Sequence, residues 1–282
     1  MTERHTHTST HIMVFCVNYG SYESLRTFMT SVDEAARVAE GKCHVTLCVG
    51  DNTAQDWEGI PEDITPHCTV RSFPYHLNHG YLGCAFRMMS EVGWEAVSKA
   101  SFCIISNVDL TIAPDFFVTL ANTDWPTDAA WLAPDIYTER LQRHDNPFMT
   151  HRPRKRDFLR WQLLYRWPAL YGLLEKVYNL KRAHHSATNK QTVIYAGHGS
   201  LMVFTGRFMA KHAFLQFPAF MYGEEIFFAE LARRDKLRTY YAPSLHVSNT
   251  GRVSTGRNDF RWLCRQNRQS LDTLKRTYFR DL

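Results

Sequence analysis

The sequence lacks the two glycine-rich motifs that commonly hold phosphate groups in α/β proteins. No GxGxxG follows the first predicted strand, and no GxxxxGK[ST] occurs anywhere in the 282 residues. The first absence argues against a dinucleotide-dependent dehydrogenase, and the second argues against a P-loop NTPase. If this protein binds a nucleotide, another group must hold its phosphates, and a divalent cation on a carboxylate is one such group.

The sequence also contains no CxxC pair and no long apolar run. Its seven cysteines are scattered and several lie inside apolar stretches, so we expect reduced thiols in a cytosol, mostly filling the core. No run of about 18 apolar residues exists, and no membrane-spanning helix is therefore predicted. The first eleven residues, MTERHTHTSTH, are polar, and we expect residues 1–11 to form a disordered tail rather than a signal peptide.

The order of the apolar segments predicts an α/β fold. Strands are predicted at 12–17, 43–52, 68–73, 101–106 and 129–134. A helix-period pattern covers 24–40, and a glycine turn followed by a helix covers 78–97. We therefore predict a mostly parallel, Rossmann-like central sheet flanked by helices, followed by a mixed half with strands at 199–206 and 238–251.

Three of the predicted strands end in small polar residues. These are Asn18 after the first strand, Asp51 and Asn52 after the second, and Asn107 and Asp109 after the fourth. The carboxyl ends of parallel strands share one edge of a sheet, where such folds bind ligands. Asn and Asp are also common where strands simply turn, so Asp109 is either a turn residue or a ligand of a metal or substrate.

The segment 151–185 differs in composition from the rest of the chain. Residues 151–185 contain nine Lys or Arg against two acidic residues, interleaved with aromatic and aliphatic side chains at helical spacing and interrupted by Pro168. Such a segment is typical of a helix lying on an anionic membrane surface. A helical pair packed on its own domain is the alternative. No nucleic-acid-binding motif accompanies the charge, so nucleic acid is not predicted as a partner.

Two adjacent carboxylates, Glu224 and Glu225, open a predicted helix after Met221-Tyr222-Gly223. Acidic residues in a first helical turn complement the helix dipole. In an apolar pocket, a carboxylate of raised pKa instead acts as a general base. Adjacent helical residues point about 100° apart, so only one of the two faces a given cleft directly.

Several ordered motifs over residues 12–256 resemble the family 2 glycosyltransferases, which are inverting enzymes of the GT-A fold, and rhamnosyl- and capsule-type members look most similar. VFCVNYGSYESLRTFMTSV resembles the opening strand, Asn-Tyr turn and first helix, and CVGDNTAQD resembles the VVDNxSxD element. NHGYLGCAFRMM resembles NxGxxxAxNxG, and ISNVDLTIAPDFF resembles the metal-binding NxD and PDxL pair. FMYGEEIFFAEL resembles the acceptor-side ED motif, and GHGSLMVFTGRFM resembles GxxxxxRRxxF.

The resemblance implies roles for individual residues. Glu225 takes the position of the catalytic base with Glu224 as its companion, and Asp109 takes that of the metal ligand for Mg²⁺ or Mn²⁺. Where relatives often have a His ligand, PSLHVSN places Asn249, with His246 three residues earlier. The residues implied to contact the nucleotide-sugar are Asn18, Tyr19, Asp51, Asn52, Asn78, Gly80, Tyr81, Asn107 and Arg257.

The resemblance also implies an organisation and a reaction. The expected domains are a GT-A catalytic domain over 12–257 and a C-terminal helix over 258–282. The catalytic domain divides into a nucleotide-sugar half (12–135), a basic helical insertion (140–190) and an acceptor half (191–257). The expected reaction transfers a sugar from a nucleotide-diphospho-sugar donor to a hydroxyl of a saccharide acceptor, which is expected to be lipid-linked, at the cytoplasmic face of the membrane.

Two other functions stay open on the sequence, namely a non-catalytic nucleotide-binding scaffold and a metal-dependent nucleotidyltransferase. The transferase hypothesis requires Asp109 and Glu225 to face each other across one cavity. Residues around Gly197-His198-Gly199 and from Trp125 to Trp131 are expected to select the sugars.

Overall fold

The computed structural model describes residues 9–169, 171, 189–249 and 260–280. The helices in these residues are α1 (Tyr22–Val38), α2 (Tyr81–Val92), α3 (Trp94–Lys99), α4 (Phe116–Asn122), α5 (Lys155–Arg166), α6 (Gly206–Met209), α7 (Glu224–Arg234) and α8 (Phe260–Tyr278). The strands are β1 (Thr10–Asn18), β2 (Cys43–Asp51), β3 (Thr69–Pro74), β4 (Phe102–Asn107), β5 (Leu110–Ile112), β6 (Ala129–Thr138), β7 (Arg143–His144), β8 (Thr192–Ile194), β9 (Leu201–Thr205) and β10 (Arg238–Asn249).

These strands form one sheet in the order β3-β2-β1-β4-β9-β6-β10-β5, with β7 beside β6 and β8 beside β10. The first four predicted strands pair in parallel, β3 with β2, β2 with β1 and β1 with β4. Strand β9 is antiparallel to both β4 and β6, while β6 and β10 are parallel. The predicted α/β architecture, parallel at first and mixed later, is confirmed.

Helices cover both faces of the sheet, because successive side chains of a strand point to opposite faces. On β1, Met13 and Phe15 pack with residues of α2, α3 and α7, while Ile12 and Val14 pack with residues of α1 and α4. The seven cysteines are all free thiols, and five of them are buried, which confirms that most fill the core.

Several boundaries differ from the prediction. Strand β1 begins at Thr10, whose N–H donates to the Lys42 carbonyl, so the predicted tail of residues 1–11 is two residues too long. Residues 1–8 lie outside the described part of the chain. The helix predicted over 78–97 is two helices, because Gly93 adopts φ +100° between α2 and α3.

The predicted helical insertion over 140–190 is helical only in part. Its first residues include β7, which pairs with β6, and residues 170 and 172–188 lie outside the described part. Helix α5 ends at Arg166, before Pro168, as predicted. It packs against α8, where Gln162 donates to Asp272 Oδ1 at 2.6 Å and the rings of Phe158 and Phe279 lie 4.7 Å apart. No helix in the described residues is long and apolar enough to span a membrane.

Candidate active site

A cavity of about 720 Å³, which we call the cleft, opens at the carboxyl ends of β1, β2 and β4. The start of α7 and Trp262 of α8 complete its walls. The sequence-predicted residues that line it are Tyr19, Asn52, Asn78, Gly80, Tyr81, Asn107, Glu224 and Glu225. The parallel strands therefore deliver most of the predicted polar residues to one place.

Asn18 and Asp51 lie behind the cleft wall rather than in it. Both are buried, and Asn18 Nδ2 donates to Asp51 Oδ1 at 3.2 Å. The Tyr22 hydroxyl donates to Asp51 Oδ2 at 2.7 Å, and the Thr53 N–H donates to Asp51 Oδ1 at 3.0 Å. The Asp51 carboxylate thus fixes the loop that presents Asn52, and its contact with the nucleotide stays a prediction.

Asn52 and Asn78 hold the glycine turn that precedes α2. Asn52 Nδ2 donates to the Gly80 carbonyl at 3.1 Å, and the Gly80 N–H donates to Asn78 Oδ1 at 2.9 Å. Gly80 has φ +74°, and a Cβ there would lie 2.2 Å from the Phe220 carbonyl oxygen, so only glycine fits. Asn52 Oδ1 is buried without a hydrogen-bond partner in the described part, which leaves an acceptor available to a ligand.

Glu224 and Glu225 begin α7 directly after Gly223, which has φ +89°. The Gly199 N–H donates to Glu225 Oε1 at 3.3 Å. A Cβ at Gly199 would lie 2.8 Å from Glu225 Oε1 and 2.9 Å from Glu224 Cγ. The loop before β9 therefore packs the backbone of Gly199 directly against both glutamates and fixes their positions.

The two carboxyls have different electrostatic surroundings. Burial, followed by the charge of Glu225, raises the pKa of Glu224 to about 8. Burial also raises the pKa of Glu225, but the His198 side chain and the Gly199 N–H oppose this shift. Near neutral pH the pair therefore holds a proton mainly on Glu224, and Glu225 is the carboxylate available to accept one.

Tyr81 and Asn107 tie the nucleotide side of the cleft to the loop that holds the glutamates. The Tyr81 hydroxyl donates to the Gly199 carbonyl at 3.1 Å, and the Asn107 N–H donates to the Ser200 carbonyl at 2.8 Å. The position of Glu225 is thus coupled to the end of β4, which carries Asp109.

Asp109 lies beside the cleft rather than on its lining. The bend between β4 and β5 turns this residue toward a neighbouring depression, which it lines with Glu23 and Glu139, and Val108 borders both spaces. Burial, followed by the charges of Glu224, Asp109 and Glu225, raises the pKa of Tyr81. Asp109 and Glu225 therefore do not line the same cavity, although the transferase hypothesis had required this. Both nevertheless lie within electrostatic reach of Tyr81.

No protein-family model matches the sequence, and no curated protein matches it. Many solved structures share its fold, among them the following two. A crystal structure of GalNAc-T7 with UDP, GalNAc and Mn²⁺ matches 88% of this chain and 45% of its own, with a TM-score of 0.56 and 13% identity. A crystal structure of S. aureus TarS matches 87% of this chain and 37% of its own, with a TM-score of 0.53 and 11% identity.

The chain has the GT-A glycosyltransferase fold. The polar strand ends and the paired glutamates described above thus lie on a GT-A scaffold. The chain spans less than half the length of either of these structures.

Within the GT-A scaffold, the residues beside the cleft fit a cation shared with a ligand. Asp109 Oδ1 is buried and has no hydrogen-bond partner in the described residues. Asn249, the other predicted ligand, pairs in register with Leu110, the residue after Asp109, and does not line the depression that Asp109 lines. No group of three or more His, Cys, Asp or Glu in the described residues forms a complete metal site, so ligand oxygens would have to complete the coordination.

His246 does not take the place of the His ligand that relatives often have where this chain has Asn249. Its side chain is 59% exposed and its Nδ1 lies 3.5 Å from Asp135 Oδ2. Arg257, predicted to cover the diphosphate, lies outside the described residues.

Of the two segments expected to select the sugars, one lines the cleft and the other does not. His198 lines the cleft, with its Nδ1 2.9 Å from Ser200 Oγ. Trp131 instead packs in the core against Phe204, and Trp125 lines a separate groove. Trp262, which reaches the cleft from α8, was not predicted. No local pattern in the sequence distinguishes it from any other residue of an amphipathic helix.

Proposed function

We propose that this protein is an inverting, family 2-type glycosyltransferase of the hexosyl or rhamnosyl class. It would move a sugar from a nucleotide-diphospho-sugar to a hydroxyl of a saccharide acceptor. One observation carries the proposal: Glu224 and Glu225 are held against Gly199 in the cleft into which β1, β2 and β4 direct their polar ends. The GT-A fold supports it, as does the UDP and GalNAc bound in the GalNAc-T7 structure.

In the proposed reaction, Glu225 takes the proton of the acceptor hydroxyl. The hydroxyl oxygen bonds to the anomeric carbon on the face opposite the diphosphate, and the bond from that carbon to the leaving oxygen breaks. This geometry inverts the anomeric centre. The Gly199 N–H keeps the Glu225 carboxylate oriented, while Glu224 retains its own proton and limits the negative charge of the pair.

Asn52, Asn78, Gly80 and Tyr81 are proposed to bind the nucleotide, with Tyr19 and Asn107 beside them. A divalent cation, Mg²⁺ or Mn²⁺, held by Asp109 and Asn249 would neutralise the charge of the leaving diphosphate. The Mn²⁺ in the GalNAc-T7 structure supports such a cation. We expect Asp109→Asn to weaken nucleotide binding in Mn²⁺, and binding by both proteins to be equally weak in EDTA. Equal affinity of the two proteins in Mn²⁺ would remove the role of Asp109.

The deciding experiment compares Glu225→Gln with Glu224→Gln. A panel of nucleotide-sugars is first screened by thermal shift, and release of nucleoside diphosphate is then followed for the best donor. Loss of a general base lowers turnover by about 10²–10⁴-fold, so Glu225→Gln should show this loss while still binding donor. Glu224→Gln is the matched control and should retain far more activity.

The outcomes separate the proposal from its alternatives. Greater damage by Glu224→Gln would exchange the roles of the two residues. A donor that binds equally well to every variant and is never turned over would indicate a nucleotide-binding scaffold. Formation of nucleoside triphosphate and sugar 1-phosphate from the nucleotide-sugar and added pyrophosphate, rather than release of nucleoside diphosphate, would indicate a nucleotidyltransferase.

The acceptor is proposed to be lipid-linked, in bacterial surface polysaccharide or lipopolysaccharide synthesis at the inner face of the cytoplasmic membrane. Helix α5, in the basic segment 151–185, exposes Leu159 and Leu163 at 54% each, and Trp167, directly after its last residue, is 53% exposed. The four-residue spacing puts these side chains on one face of the helix, with arginines beside them. An apolar stripe flanked by cations fits an anionic lipid surface.

Flotation with vesicles containing anionic lipid tests this docking. Leu159→Glu with Leu163→Glu should leave the protein at the bottom of the gradient, whereas wild type rises. Val193→Glu, the same change at a 50% exposed position on β8, is the control. Wild-type protein that stays at the bottom would refute membrane docking.

A further inference from the structure

A second, basic groove lies between α5 and α8. It encloses about 410 Å³ and is lined by Arg166 of α5 and by Arg261, Arg265 and Arg268 of α8. The spacing of the three α8 arginines places them on one face of that helix. The segment 151–185 and α8 are both basic, and the packing of α5 on α8 brings the two together.

The groove carries more positive charge than its own carboxylates neutralise. Asp272 is the acidic residue among its lining side chains, and its Oδ1 already accepts a hydrogen bond from Gln162 at 2.6 Å. Arg166, Arg265 and Arg268 have no carboxylate partner within the described ranges. Arginines gathered without counter-charge repel one another, and a bound anion relieves that repulsion.

The chemistry of the side chains narrows the class of anion. The guanidinium group is planar and donates two parallel N–H bonds to phosphate oxygens. Four such groups around one groove match a phosphate or diphosphate better than they match a single carboxylate. Tyr165 and Pro168 add apolar surface to the same groove.

The groove adjoins the cleft on the side of the two glutamates. Trp262 lines the cleft while its neighbour Arg261 lines the groove. Tyr165 lines the groove, and its pKa is raised first by burial and then by nearby groups that include Tyr171 and Glu225. An anion in the groove is therefore close to the acceptor side of the cleft.

We infer that this groove binds the phosphate or diphosphate group of the acceptor, so that the acceptor is an anionic saccharide conjugate whose sugar enters the cleft past Trp262. The inference rests on the proposed function for the identity of the acceptor. The existence of the anion site does not depend on catalysis.

Calorimetric titration with inorganic pyrophosphate, in EDTA and without donor, tests the site. Each lost charge-assisted hydrogen bond weakens binding by about 10-fold or more, so Arg265→Gln with Arg268→Gln should show at least that loss. Arg37→Gln with Arg71→Gln removes the same charge from two exposed arginines on α1 and β3 and should bind like wild type. Asp109→Asn, beside the cleft, should also bind like wild type.

Two results would overturn the site. If Asp109→Asn changes pyrophosphate affinity and the groove variant does not, the anion binds in the cleft. If the groove variant and the Arg37 and Arg71 control weaken binding equally, the effect is one of net charge and pyrophosphate is an adventitious ion only.

Two further probes distinguish the source of the phosphate. Geranyl diphosphate presents a prenyl diphosphate, and phosphatidylcholine vesicles with phosphatidylglycerol present lipid headgroups. Weaker binding of geranyl diphosphate to the groove variant supports the acceptor assignment, and an effect on vesicles alone overturns it in favour of headgroups. Because none of these titrations uses a donor, failure to find any glycosyl transfer would reject the proposed function without altering the result for the groove.

Discussion

Replacing Glu224 by glutamine removes a carboxyl that the folded protein holds in its neutral form. Burial, together with the charge of Glu225, raises the pKa of Glu224 from 4.5 to about 8. The folded state thus keeps a proton that the unfolded chain has already released above pH 4.5. The stability of the wild type should therefore fall as the pH rises from about 4.5 to about 8, and remain low above that range.

The size of the effect follows from the pKa difference. One pKa unit corresponds to about 1.4 kcal/mol, so ionising Glu224 destabilises the fold by roughly 3–5 kcal/mol. Glutamine keeps the shape of the side chain and cannot ionise. For a chain of this size, about 1 kcal/mol shifts the melting temperature by about 2–4 °C. The advantage of Glu224→Gln over wild type should therefore grow by about 6 °C or more between pH 5 and pH 9.

Thermal unfolding followed by circular dichroism, at fixed ionic strength from pH 5 to pH 9, measures this difference. Glu40→Gln, at an exposed position in the turn after α1, is the matched control and should have the same pH dependence as wild type. A constant difference between Glu224→Gln and wild type across the range would refute the reasoning. Glu224 would then titrate as in the unfolded chain, and the division of roles between the two glutamates would lose its basis.

Two predictions concern positions that support the cleft. Gly80→Ala should abolish nucleotide binding in thermal-shift assays, because its Cβ would lie 2.2 Å from a backbone oxygen. Gly83→Ala is the control and should bind normally, because no atom would lie closer than 3.7 Å to its Cβ. Normal binding by Gly80→Ala would show that the turn adapts. Glu230→Gln should lower the free energy of unfolding in urea by about 1–3 kcal/mol, because it weakens the ion pair between the buried Glu230 and the partly exposed Arg152, and a loss no larger than that of Glu40→Gln would contradict this.

The sequence was sufficient to predict the scaffold because its period-2 and period-3.6 patterns are strong in the first 135 residues. Strand ends such as Asn52 and Asn107 follow from parallel pairing alone, since parallel strands bring their carboxyl ends to one edge. Parallel pairing therefore predicts this part of the cleft lining, whereas Asn78, Gly80 and Tyr81 were expected only from the family resemblance.

The failures have a common physical cause, which is that a residue type does not reveal its partners. The sequence does not show that Asn18, Tyr22 and Thr53 donate to the Asp51 carboxylate. The direction of Asp109 depends on the bend between β4 and β5, and the basic groove depends on two helices more than ninety residues apart. These features arise from tertiary packing, which local patterns do not encode.

Arg152 connects the exposed helix α5 to the two helices that border the cleft, α7 and α8. Its guanidinium donates to both carboxylate oxygens of Glu230 in α7, at 2.8 and 2.9 Å, and to the Tyr278 carbonyl at the end of α8, at 3.2 Å. It lies three residues before α5, so one side chain anchors three helices. Arg152 therefore links α5, which would rest on lipid, to α8, which bears the arginines, and to α7, which begins with the two glutamates. A displacement of any one of these helices is consequently transmitted to the other two.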